Sequence, residues 1–293
     1  MHISHIMDIL RPAARAERPA VLRIGVNGFS ALHNALRRPT MRNIHRQPAN
    51  RFHPVGVCRV LDKPLEPKVA DAVFDTAQVV NALAVVGLAH RVTGPANALL
   101  QLWTITYRNS FGMILHNDNM LVLQQMAVGF GPSADALSVD DLIREGRLIP
   151  DKYSRSYGGV NTLANIAATA VYFISGVAKV RSDYGWGWAS GVALREQIAA
   201  DAVRKEVFGS QAPENAKRLY NAKGPFGVLA AGALAVELLA PLALFNRTVG
   251  KLFSLAACAM HWGIWLVMGI KFKYNMSGVS YLGYFPVGPQ LPG

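Results

Sequence analysis

Uncharged apolar runs recur along the chain, separated by polar, basic or proline-bearing stretches, and the pattern predicts helices that cross a lipid phase. The first run, IGVNGFSALHNAL between Arg23 and Arg37, is 13 residues long, short of the roughly 20 a spanning helix needs. It predicts an interfacial or partly inserted helix. Residues 37–70 are polar and basic, with prolines at 39, 48, 54, 64 and 67, which predicts an irregular surface segment because proline interrupts helices. Spanning candidates then follow in series at 76–90, 92–107 and 119–134. Thr93-Gly94-Pro95 reads as a turn or a kink, so the first two candidates are two tilted helices or one hairpin. Ser138-Val139-Asp140-Asp141 supplies a serine cap and early acids for a short helix.

The stretch 156–178 carries 23 residues without a charge, enough to cross a bilayer with tilt. ALREQIAADAVRKEV, beginning at Ala193, is too highly charged for hydrocarbon and reads as a surface helix. Residues 224–246 form a further span rich in Gly and Ala, and 252–270 form another with Lys251 and Lys271 at its ends. Such lysines reach headgroups. The tail 274–293 reads as a partial span or a covering loop. The expectation is an all-α, polytopic transmembrane helix bundle with about five or six spans and short interfacial helices. A basic amino-terminal segment (1–70) is followed by the bundle proper (71–293).

Composition agrees with lipid as the solvent. Charged residues make up 16% of the 293, against about 25% in soluble chains. The net charge of +12 interleaves with apolar runs and matches no nucleic-acid module, so anionic lipid, and a membrane protein partner, are expected in place of nucleic acid. Residues 1–70 hold twelve Lys or Arg against four acids, and such a segment resists translocation, which predicts a cytoplasmic amino terminus on a multi-pass protein of the cell membrane. No apolar stretch with a small-residue cleavage site precedes it, so no cleaved signal peptide is expected. Cys58 and Cys258 match no ligand or redox spacing and read as unpaired small hydrophobes.

Ionisable residues inside spans are costly and face the bundle interior or a watered cavity. Glu237 stands near the middle of its span, without a positive partner on the same helix. It reads either as a functional carboxylate or as an anchor bonded to another helix. His261 lies midway between Lys251 and Lys271; it suits a quinone oxygen or a proton relay, or packs against Trp262 and Trp265. His116 belongs to LHNDNML, whose donors exceed what capping by Asn119 requires. No second histidine stands at metal-ligand spacing, so no metal is expected. Lys179, in YFISGVAKVRSDYGWGW, closes the long uncharged stretch. It reads as an interfacial anchor, with Asp183 at i+4 as an ion-pair partner and Trp186 and Trp188 marking the interface, or as a base if burial favours its neutral amine.

YFISGVAKVRSDY resembles the lysine motif of vitamin K-dependent gamma-glutamyl carboxylases and of the bacterial HTTM domain membrane proteins grouped with them. TYRNSFGMILHNDNMLVL with SADALSVDDL, and the order of Glu237 and His261 in late spans, are similar too. The resemblance implies a membrane helix bundle that binds a reduced quinone, menaquinol or a vitamin K hydroquinone. In that family a lysine deprotonates the hydroquinone, and the corresponding position is Lys179. The family's histidine aligns with Asn117, one residue after His116. With this resemblance, the expected catalytic groups are Lys179, His116, Glu237 and His261, with Asn117, Asn119 and Trp262 against the cofactor. A quinol-linked oxidoreductase or carboxylase-like enzyme is the expected function. The alternative is a non-catalytic membrane subunit or assembly factor of a larger complex, using the same polar residues for interhelical contacts.

Overall fold

The computed structural model describes residue 8, residues 10–112, residue 114, residues 116–220 and residues 223–287. They are almost entirely helical, and the sole sheet among them is a two-residue antiparallel pair, β1 (Ala14–Arg15) with β2 (Tyr153–Ser154). The chain divides into two units, Met1–Ala167 with Phe285–Gly293, and Ala168–Tyr284.

The first unit is built on α1 (Glu17–His45), α2 (Pro67–Val86), α3 (His90–Asn109) and α4 (His116–Phe130). Helix α3 packs against α2 and α4, and α1 packs against α2 and α4. Two expectations change here. Helix α1 runs 29 residues, straight through Pro39, where a short helix and an irregular 37–70 were expected. The hydrogen bond that Pro39 removes is outweighed by tertiary contacts: Arg38 and Arg42 reach Asp75, and His45 and Arg46 reach Asp71. The turn between α2 and α3 is Gly87–Ala89, while Thr93-Gly94-Pro95 lies inside α3. Gly87 has φ +66°, and a Cβ there would stand 2.6 Å from Ser138 Cβ, so only glycine suits this corner. Buried Arg23 ties the same corner together, donating to the carbonyls of Ser133, Ala84, Val85 and Leu137. Burial pushes its guanidinium down to about 10. The predicted cap forms: Ser138 Oγ accepts from Asp141 N at 3.0 Å at the start of α5 (Val139–Glu145).

Helix α6 (Arg155–Val180) contains the change from the first unit to the second at Ala167/Ala168. The second unit continues with α7 (Val192–Val207), α8 (Glu214–Tyr220), α9 (Lys223–Leu238), α10 (Arg247–Met268) and α11 (Lys273–Met276). Ile198, Ala216 and Phe226 form one apolar cluster; Tyr172, Phe253, Tyr281 and Tyr284 form an aromatic one. The expected span at 224–246 is interrupted, because α9 stops at Leu238 and the chain turns as a 3-10 helix at Ala240–Leu244 with Pro241 in its first turn.

Three helices, α2, α6 and α10, are long and apolar enough to cross a membrane. Their large apolar side chains point outward, including Val79, Leu163, Ile174, Leu252 and Leu255, while Asn81, Asn97, Gln101, Gln124, Gln125 and Asn275 are buried. Apolar outside with polar inside is stable only where the surroundings are themselves apolar, so the chain is a membrane protein.

Candidate functional site

Lys179 sits in the last turn of α6, at the end of a long uncharged helix. Tyr172, Ser175 and Lys179 are spaced i, i+3, i+7 and so share one face. That face meets α9 at Gly176, where a Cβ would stand 2.9 Å from Glu237 Cβ and 3.1 Å from Leu238 Cδ2. The missing side chain lets the two helices approach closely enough for a short bridge.

Across this contact Lys179 Nζ donates to both carboxylate oxygens of Glu237, at 2.6 and 2.7 Å, and Ser175 Oγ donates to Oε1 at 3.4 Å. The Glu237 side chain is 6% exposed and that of Lys179 27%, so the carboxylate is sealed and the amine retains an edge on its surroundings. Trp188 covers that edge, its ring centroid 5.3 Å from Nζ. The i+4 partner expected in Asp183 is not used: α6 ends at Val180, so the helical spacing that would bring Asp183 over Lys179 is lost. Lys179 is therefore turned onto a buried acid and held there.

Two helical turns earlier on the same face, Tyr172 enters a buried polar cluster. Its hydroxyl meets Tyr281 Oη at 2.5 Å and His261 Nδ1 at 3.3 Å, and accepts from Asn275 Nδ2 at 2.9 Å. Asn275 also donates to Tyr281 Oη at 3.3 Å. Burial pushes the Tyr281 phenol up to about 12, so it remains a proton-bearing donor near neutral pH. Glu237 is near enough to Tyr172 to act on it electrostatically. Lys179, Glu237, Tyr172 and His261 thus belong to one neighbourhood of the second unit. His261 packs against Tyr172 and Phe272, not against the two tryptophans: Trp262 pairs with Trp265 and donates to the carbonyl of Met276.

The remaining expected residues lie in the first unit. His116 opens α4 and is exposed, Asn117 is buried and donates to Asp118 Oδ1 at 3.2 Å, and Asn119 falls inside the first turn, where it caps nothing. The inward-facing charge of this motif is Asp118, passed over in the sequence. Arg108 Nη1 reaches its Oδ2 at 2.8 Å and Arg37 Nη1 approaches at 3.9 Å. An amide ladder lies alongside: Asn34 donates to Gln101, Gln101 to Asn97, and Asn97 and Gln125 both to Asn27 Oδ1, at 3.1 to 3.3 Å. The acid within HNDN, ten residues after an arginine that closes the preceding apolar run, was the available signal. Tyr172 was equally available, seven residues before Lys179.

Comparison with protein-family models, with curated proteins and with solved structures yields no match.

Proposed function

We propose that this chain is a multi-pass protein of the cell membrane, amino terminus cytoplasmic, that binds a reduced quinone of the menaquinol or vitamin K hydroquinone type and takes a proton from it at Lys179. The three long apolar helices supply the core of five or six crossings, with α3, α4 and the α9 segment continued through Leu244 furnishing the others. The observation that supports the reading is the seating of Lys179. A lysine kept only to mark the bilayer edge extends toward headgroups; this one folds back onto Glu237, 2.6 Å away, beside a phenol and imidazole cluster.

The chemistry follows from the pair. As an ion pair the amine carries its proton and is no base. To serve as a base the amine must first give that proton to Glu237. Moving the proton along the 2.6 Å contact from Nζ to Glu237 leaves a neutral amine and a neutral acid. The neutral amine of Lys179 would then be the group that takes a proton from the hydroxyl of a bound quinol. Tyr172 and His261 hold the second oxygen of the ring. Membership among carboxylase-like HTTM proteins, which the lysine motif suggests, belongs to the same proposal.

One observation favours the second reading, a non-catalytic subunit. The bidentate contact satisfies both partners and braces α6 against α9 without any ligand. The two readings separate on labelling of Lys179 by an amine reagent in nanodiscs across a range of pH, with and without menaquinol or vitamin K hydroquinone. Protection of Lys179 by the quinol, and not by its fully methylated ether, is expected. Identical labelling with and without quinol would leave the pair as a brace and end the enzymatic reading.

A further inference from the structure

In the first unit, a groove of about 680 Å³ opens where α3 begins and α4 ends. Its floor includes Gly129, where α4 presses backbone to backbone against Gly94 of α3. A Cβ on Gly94 would lie 2.6 Å from the carbonyl oxygen of Gly129, and a Cβ on Gly129 would lie 2.6 Å from that of Gly94. Any side chain at either position would fill the floor or part the helices. One wall is apolar, formed by Val92, Pro95, Phe130 and Ile143, and three of these, Val92, Phe130 and Ile143, are largely exposed. The other wall carries charge.

The charges that line it, Arg91, Arg144, Asp135 and Asp140, are unequally partnered. Asp140 spends both carboxylate oxygens on the start of α3, accepting from Ala89 N at 2.7 Å and His90 N at 2.8 Å, and buried Arg23 lies within its electrostatic reach. Asp135 accepts from Tyr157 and faces Arg144 at 3.5 Å. Arg91, exposed on the groove wall, has no carboxylate within ion-pair distance among the described residues. Asp140 is thus held by backbone amides, and Arg144 by Asp135 and by Asp141 at 3.2 Å, which leaves Arg91 as the groove-lining charge without an ion-pair partner among the described residues.

Depth identifies the occupant. Helix α2 is one of the three helices long enough to cross the membrane, and it ends at Val86, immediately before the groove at Ala89. A spanning helix ends at the level of the headgroups. We infer that this groove is a binding site for one monoanionic phospholipid. Its phosphodiester pairs with Arg91 in the bidentate manner that guanidinium favours, and its first acyl methylenes lie along Val92, Phe130 and Ile143. The site is independent of the quinone reading of the second unit and requires only that the first unit stands in a bilayer.

The test is lipid retention by the full chain, released from nanodiscs containing equal amounts of phosphatidylglycerol and phosphatidylcholine and weighed by native mass spectrometry. The wild type keeps one phosphatidylglycerol in preference to phosphatidylcholine. R91A lowers that preference about fivefold, the size expected for one basic residue at a headgroup, and R91K keeps most of it. R59A, which removes an exposed arginine elsewhere, leaves it unchanged, and R91A retains the helical circular dichroism of the wild type. An unchanged preference in R91A overturns the proposal, as does an equal loss in R59A, which would assign the effect to the diffuse positive charge of the chain. Displacement of the lipid by millimolar glycerol phosphate would also overturn it, since the site would then hold free phosphate without using the apolar wall.

Discussion

The two units bury charge in opposite ways. In the first, Asp118 is locked between Arg108 and Arg37, with its side chain 4% exposed and that of Arg108 only 9%. In the second, Glu237 is equally sealed, but its partner Lys179 keeps 27% of its side chain exposed beneath a tryptophan. The first arrangement uses a rigid planar donor, embedded in an amide ladder, with a second arginine behind it. The second uses a flexible amine on a four-carbon stem, held by the carboxylate alone among charged partners in the described residues. Arginine stays charged in every protein setting, whereas lysine takes up and releases a proton when its surroundings change. The first unit therefore holds its buried charge in a rigid frame, and the second holds it through one flexible side chain.

The largest expected effect breaks the frame. D118A leaves Arg108 buried without a counter-charge, and the first unit should lose about 3–5 kcal/mol, read by unfolding in mixed micelles; a loss under about 1 kcal/mol would mean that the buried pair is hydrated and the contrast false. A smaller effect comes from wedging the mobile pair apart. G176V places methyls where Glu237 and Leu238 pack, costing about 1–3 kcal/mol by overpacking, and the same variant should raise amine labelling of Lys179. Stability loss with unchanged labelling would show that the helices yield without parting the pair.

The smallest effect sharpens the contrast. E237Q keeps the shape of the buried side chain and leaves Lys179 a route outward, so the loss should stay near 1 kcal/mol, well below that of D118A. Quinol protection of Lys179 should vanish in the same variant. A cost in E237Q as large as that in D118A would make the second pair a frame like the first.

Much of the fold was legible along the chain. The uncharged stretch at 156–178 became α6, the run at 252–270 became α10, and Ser138 caps its short helix as its position before two acids predicts. Helix α1 was not legible, because Pro39 argues locally for an interruption and the aspartates that override it lie on another helix. Helix α9 erred the other way: an unbroken apolar composition hid the effect of Pro241. At the site, Lys179, Glu237 and His261 stood out singly, each by charge or polarity in an apolar run. Asp118 did not, since its neighbours His116 and Asn117 drew the attention that its burial deserved.

The sequence by itself determined that the chain lives in lipid and where the long apolar helices α6 and α10 run, because hydrophobic length and charge spacing act locally and need no partner. It also singled out the residues too polar for their surroundings. Only the tertiary structure decided what they are paired with. Lys179 could reach Asp183 four residues on or Glu237 fifty-eight residues away, and the choice turned on where α6 ends and on a glycine that brings α9 within reach. A buried charge is stabilised by whichever opposite charge the packing brings to about 3 Å, and packing is a property of the whole chain.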